Sequence, residues 1–158
     1  MSEEIKKGNA LRVGIIYWSG IGNTERMASL IAAGAESSGA DVTIKNVADA
    51  SPDELDRYDA VALGSPAMSS ECVEEGEMAV FSRDAIQYLA GKPTGLFGSY
   101  GWGDGEWMRK WADEMRRAGA HVIDDGLAVR ESPEGESADK CAEFGSKLAG
   151  AGKRITFV

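Results

Sequence analysis

Histidine and cysteine are almost missing from this chain. His121 is its one histidine, and Cys72 and Cys141 are its two cysteines, far apart in 158 residues. Such a set offers neither the number nor the spacing of ligands that a zinc site needs. A disulfide framework is a device of small secreted chains with poor cores. Here 43% of the residues are apolar, enough to fill a single core, so both thiols are expected free and His121 structural or exposed. Positive charge is also scarce: 17 Lys and Arg stand against 26 Asp and Glu, a net charge of -9. That balance argues against nucleic acid and the anionic membrane face as partners. The surplus acid is read either as plain solubility or as steering toward a basic patch on a partner protein. No apolar run is long enough to cross a bilayer; Leu11–Trp18 is short and contains Arg12. Met1–Asn9 is polar, without a signal-peptide core, so a cytoplasmic location is expected. Neither an internal repeat nor a low-complexity tract is present.

What remains is an alternation of short apolar runs with helical patterns. Leu11–Tyr17, Val42–Val47, Ala60–Leu63, Thr94–Phe97 and His121–Val129 read as strands. The first four show little in/out alternation, the pattern of strands buried on both faces of a parallel sheet. Between them, Met27, Leu30, Ile31 and Ala35 mark one helix face, and Met78, Phe81, Ala85 and Leu89 another. Trp107, Trp111 and Met115, with Met108 and Ala112, mark a third, and their spacing assigns these tryptophans to the core. Cys141, Phe144, Gly145 and Leu148 mark the last. Ser51-Pro52-Asp53-Glu54 reads as an N-cap, a first-position proline and an acidic first turn. The expected fold is α/β: a three-layer, doubly wound sandwich around a five-stranded parallel sheet of order 2-1-3-4-5, over residues 10–150. Residues 1–9 and 151–158 are tails to which the sequence assigns no structure.

Ligands of such sheets bind beyond the carboxyl ends of the strands. After the first strand comes Ser19-Gly20-Ile21-Gly22-Asn23-Thr24, leading into a helix. Its glycines allow a tight turn and its helix start offers N–H groups and a positive dipole end, together an anion site suited to phosphate. The loop holds no Lys or Arg, which suits a resident cofactor better than phosphoryl transfer. A Walker A loop would need Gly-Lys-Ser/Thr, and a dinucleotide fingerprint would need a third glycine where Glu25 stands. Read alone, the segment also fits a plain glycine turn leading into a helix, the lesser of the two readings. After the third strand, Gly64-Ser65-Pro66-Ala67-Met68-Ser69-Ser70-Glu71 sets one thioether, able to pack on a flat ring, in a small polar loop. After the fourth, Gly98-Ser99-Tyr100-Gly101-Trp102-Gly103-Asp104-Gly105 sets an indole between glycines, where it can lie against a ring or stand in solvent. A phosphate cradle beside two groups that favour a planar aromatic is what FMN requires.

These strings, with residues 17–25, Ala67-Met68 and Glu71, and 98–105, resemble the short-chain flavodoxins of anaerobic bacteria. Flavodoxin is a known example of the 2-1-3-4-5 order, with FMN at the switch point between strands 1 and 3. The resemblance runs from about Arg12 to Ala149, with no large insertion in the fifth strand. It implies a low-potential one-electron carrier that shuttles electrons between redox enzymes through bound FMN, monomeric, with partner proteins docking near the flavin edge. It further implies that Ser19, Gly20, Ile21, Gly22, Asn23 and Thr24 hold the phosphate, aided by Ser99. Met68 and Trp102 would flank the ring, Gly101 and Gly103 would reach its pyrimidine edge, and Glu71 would pair with a ring N–H. Ser65, Pro66, Ala67, Ser69, Ser70 and Tyr100 complete the expected cofactor-binding set. A peptide within 68–71 is expected to flip toward flavin N5 on one-electron reduction, stabilising a neutral semiquinone.

Three positions depart from the family. Ile21 replaces a usual Thr and removes a hydroxyl; Pro66 replaces a common Ser; Ser69 replaces a Gly. If the flipped turn needs a positive φ, Ser69 costs more than Gly and stabilises the one-electron state less. Glu71, Glu74, Glu75, Glu77, Asp104 and Glu106 are expected to oppose a second negative charge on the ring and lower that potential. The alternative function is an FMN-dependent NAD(P)H or quinone reductase, an enzyme rather than a carrier. A non-redox phosphate-binding module would explain the first loop but neither Met68 nor Trp102.

Overall fold

The structure, a computed structural model, describes residues 10–68 and 71–156, with side chains described up to residue 153. Strand β1 (Arg12–Tyr17) leads into helix α1 (Asn23–Ser37) and edge strand β2 (Asp41–Asn46). The chain returns through 3₁₀ turns at Val47–Asp49 and Pro52–Arg57 to β3 (Ala60–Gly64). Helix α2 (Met78–Ala85), β4 (Pro93–Tyr100) and α3 (Glu106–Arg117) follow, then β5 (His121–Val122), β6 (Leu127–Arg130) and α4 (Glu136–Thr156). The sheet is parallel with order β2-β1-β3-β4-β5, and β6 also pairs with β4. It is the doubly wound α/β sandwich that the alternation of patterns predicts.

Two corrections concern the strands. The run His121–Val129 is not one strand. Asp124 (φ 54°) and Gly126 (φ 86°) take left-handed conformations that cannot continue a ladder, so the fifth position is shared by β5 and β6. Nor is β2 buried on both faces: it is the sheet edge, and Ile44 is 42% exposed.

Successive side chains of a strand point to opposite faces, so each central strand feeds two cores. On one face Val13, Ile15 and Phe97 pack with Met27 and Ile31 of α1 and Phe144 and Leu148 of α4. On the other, Ile16, Leu63 and Leu96 pack with Phe81, Trp107, Trp111 and Met115 from α2 and α3. Trp107 and Trp111 are core residues, as their helical spacing predicts. Two glycines let α1 and α4 approach closely: a Cβ on Gly34 would overlap the Ala142 carbonyl, and one on Gly145 the Ile31 carbonyl. Helix α4 continues through Thr156. No described helix is long and apolar enough to cross a membrane.

Candidate cofactor site

The first loop is shaped by two devices. Gly22 sits at φ 103° just before α1, with open space where a side chain would be. Ser19 Oγ accepts the N–H groups of Gly22 (3.2 Å) and Glu25 (3.3 Å), doing the work of a helix cap from three residues upstream. A helix leaves its first N–H groups without intrahelical acceptors. With Ser19 taking two, those of Asn23 and Thr24 remain for a ligand. Thr24 is buried, and its hydroxyl meets Ser99 Oγ at 3.2 Å and accepts the Ser99 N–H at 3.4 Å, tying the β1 loop to β4.

The other loops continue the sheet beyond its strands. Trp18 N–H donates to the Gly64 carbonyl (2.9 Å), Ser65 N–H to Phe97 (3.0 Å), Ala67 N–H to Ser99 (2.9 Å), and Glu131 N–H to Tyr100 (2.8 Å). Past Ala67 the chain turns: Glu71 N–H donates to the Met68 carbonyl (2.8 Å) and Met68 N–H to the Cys72 carbonyl (2.9 Å). Glu71 pays for this turn with φ 52°, a conformation uncommon in residues other than glycine.

A cleft of about 290 Å³ results. The β1 loop lines it with Ser19, Gly20, Ile21, Asn23 and Thr24, the β3 loop with Pro66, Ala67 and Met68, and the β4 loop with Ser99, Tyr100 and Gly101. The other expected residues sit elsewhere. Gly22 shapes the turn without lining the cleft. Ser65 is fully buried beneath it, its hydroxyl donating to the Pro66 carbonyl (2.9 Å) and accepting the Glu74 N–H (2.9 Å). Trp102 and Gly103 stand outside the lining, and Trp102 is 59% exposed because its glycine neighbours give the indole nothing to pack on. Glu71 lines an adjoining cleft with Cys72 and Trp107 and lies against Gly103. Ser69 and Ser70 lie outside the described residues.

Two lining residues were missed. Trp18 precedes the phosphate loop directly, and its indole N–H donates to Glu77 Oε1 (3.2 Å). Glu131 follows β6, whose carboxyl end lies beside that of β4; the loop after the fifth strand was the signal to follow. Glu74, expected among the carboxylates around the ring, is instead buried and bonded to backbone N–H groups.

Glu71 Oε1 is buried and has no hydrogen-bond partner among the described residues. A buried carboxylate oxygen is costly without a donor, and the pyrimidine edge of a flavin carries one. The residues present therefore fit FMN: first-turn N–H groups for a phosphate, Met68 and Tyr100 for a ring, and an acceptor for a ring N–H.

A doubly wound parallel sheet with its cleft at the β1/β3 switch point places the protein among the α/β proteins that hold a ligand on strand-end loops. The flavodoxin family model matches residues 15–145. A flavodoxin of Clostridium beijerinckii is 47% identical over 135 residues, covering 85% of this chain and 97% of its own. One from Megasphaera elsdenii is 44% identical over 139 residues, covering 88% and 99%. The solution structure of two-electron reduced Megasphaera elsdenii flavodoxin superposes with a TM-score of 0.80, covering 87% of this chain and 98% of that one. The chain belongs to the flavodoxin family. It is an electron-transfer flavoprotein with FMN as its cofactor, and this membership supports electron shuttling over the reductase alternative.

Proposed function

We propose that the cleft seats the FMN of a low-potential, one-electron carrier, and that the residues around it hold the cofactor without acting on a substrate. One observation carries the reading: a single cleft is lined both by the first turn of α1 and by the Met68 loop. The bound flavin supplies the chemistry, taking up and releasing electrons singly. The chain supplies the setting. The α1 N-terminus, Ser19 and Asn23 hold the phosphate with neutral donors and a dipole. Met68 would pack on the ring, and the exposed Trp102 would offer it a second face. Glu71 Oε1, without a partner among the described residues, would accept the ring N–H. Exposed carboxylates at Glu75, Glu77 and Glu131 would oppose further negative charge on the ring and lower its second potential, whereas Asp104 and Glu106 are paired with Arg109 (3.3 Å) and Lys110 (3.6 Å) and count for less.

Partner proteins with basic patches dock at this acidic rim, and the carrier works as a monomer in the cytoplasm. Stepwise anaerobic reduction of the FMN-loaded protein, followed by visible spectra, tests the reading. Two resolved one-electron steps without steady-state NAD(P)H oxidation are expected. A single two-electron step with NAD(P)H turnover would overturn it.

A further inference from the structure

The loop 66–73 carries both Met68 and Glu71, and its two ends are joined by one pair of residues. Ser65 ends the β3 side and is fully buried; Glu74 ends the α2 side and is 9% exposed. The Glu74 N–H donates to Ser65 Oγ at 2.9 Å, closing the loop at its base. The Glu74 side chain then fixes that base to the start of α2. Its Oε1 accepts the N–H groups of Glu77 (2.7 Å) and Met78 (2.9 Å), and its Oε2 accepts that of Gly76 (2.8 Å). Hydrogen bonds to an ionised acceptor are the strong ones, and a carboxylate at a helix N-terminus also meets the favourable end of the dipole. Ser65 is held from the other side too, since Gly98 of β4 packs so closely that a Cβ there would overlap the Ser65 carbonyl. Through Glu77, the same helix start reaches Trp18 on the β1 wall of the cleft.

We propose that Glu74 is a positioning residue for the cofactor loop, acting through Ser65 and the first turn of α2. Glu74 does not line the cleft. It fixes both feet of the loop, while the Ala67 N–H is held by the Ser99 carbonyl and the Met68 and Glu71 N–H groups by the Cys72 and Met68 carbonyls. Loosened feet let the apoprotein loop wander among arrangements that cannot bind, which lowers affinity by the competent fraction. They also leave Met68 and Glu71 less firmly placed against the ring, which alters how the two midpoint potentials are spaced. The proposal rests on the reading of the cleft as the FMN site.

The test compares Ser65→Ala, which removes the tie and keeps the carboxylate, with Glu74→Gln, which leaves one carbonyl oxygen for three N–H groups. Glu36→Gln removes the same charge from an exposed site in the last turn of α1, at the end of that helix away from the cleft. Three quantities are measured: apoprotein affinity for riboflavin and FMN by fluorescence quenching, the separation of the two one-electron midpoint potentials, and the apoprotein Tm. Ser65→Ala and Glu74→Gln are expected to weaken both flavins by a similar factor, about tenfold, and to change the separation. Glu36→Gln is expected to change flavin affinity by less than about twofold. Parental affinity and separation in Ser65→Ala, with only a lowered Tm, would overturn the positioning role; this variant decides the matter if Glu74→Gln does not fold. FMN binding by the parent separately checks the underlying reading: a parent that binds neither flavin overturns that reading, whereas normal parent binding with unaltered variants overturns only the role of Glu74.

Discussion

Glu54 is an acid almost wholly buried, and three donors explain how it stays there. Burial raises its pKa, but the Ser51 N–H (2.9 Å), Lys45 (3.1 Å) and the Tyr58 hydroxyl (2.9 Å) outweigh that and hold it below the usual carboxylate range. The unfolded chain therefore binds the proton more tightly than the folded one. This cluster contributes stability above the unfolded pKa of about 4.3, and the contribution is lost as pH falls through the lower folded value. Glu54→Gln is expected to lower Tm clearly at pH 7 and to approach the parent as the solution is acidified. Thermal unfolding of both proteins at pH 7 and pH 3 checks this; a difference independent of pH would place the effect in packing alone. Cys141 shows burial without compensation: its thiol is pushed up to about 11, so it is a core side chain rather than a nucleophile.

Among the elements, the contact between α1 and α4 is the least forgiving. Gly34 faces the Ala142 carbonyl and Gly145 the Ile31 carbonyl, so any side chain must push the helices apart. Gly145→Ala is expected to cost about 2 kcal/mol or more, despite the better helix propensity of alanine; chemical denaturation measures it. The sequence presented this contact only as one glycine on an apolar stripe, because propensity says nothing of a neighbouring helix. Strands β1, β3 and β4 were legible since they are buried on both faces and read as apolar runs. The fifth strand was read through Asp124-Asp125-Gly126, a turn signal outweighed by its apolar flanks. In the site, the glycine turn of residues 19–24 announced itself through local chemistry. Glu131 and Trp18 did not, for their place in the cleft depends on which strand ends lie together. Glu74 looked like its neighbours Glu75 and Glu77, and only packing shows which of them is buried.

At the scale of the whole molecule, a net charge of -9 acts before any contact forms. Association with a partner bearing a basic patch is expected to slow steeply as salt rises from about 10 mM to 0.5 M, because screening shortens the reach of the field. Stopped-flow electron transfer to such a partner measures this, and a rate insensitive to salt would make the acidic surface a matter of solubility. The four tryptophans are distributed unevenly across the molecule: Trp107 and Trp111 are in the core, while Trp102 stands largely in water. An indole in water emits at longer wavelength than one in a core and is within reach of soluble quenchers. The protein thus carries a native optical gauge on the loop after β4, able to report without any attached dye when something comes to rest against it.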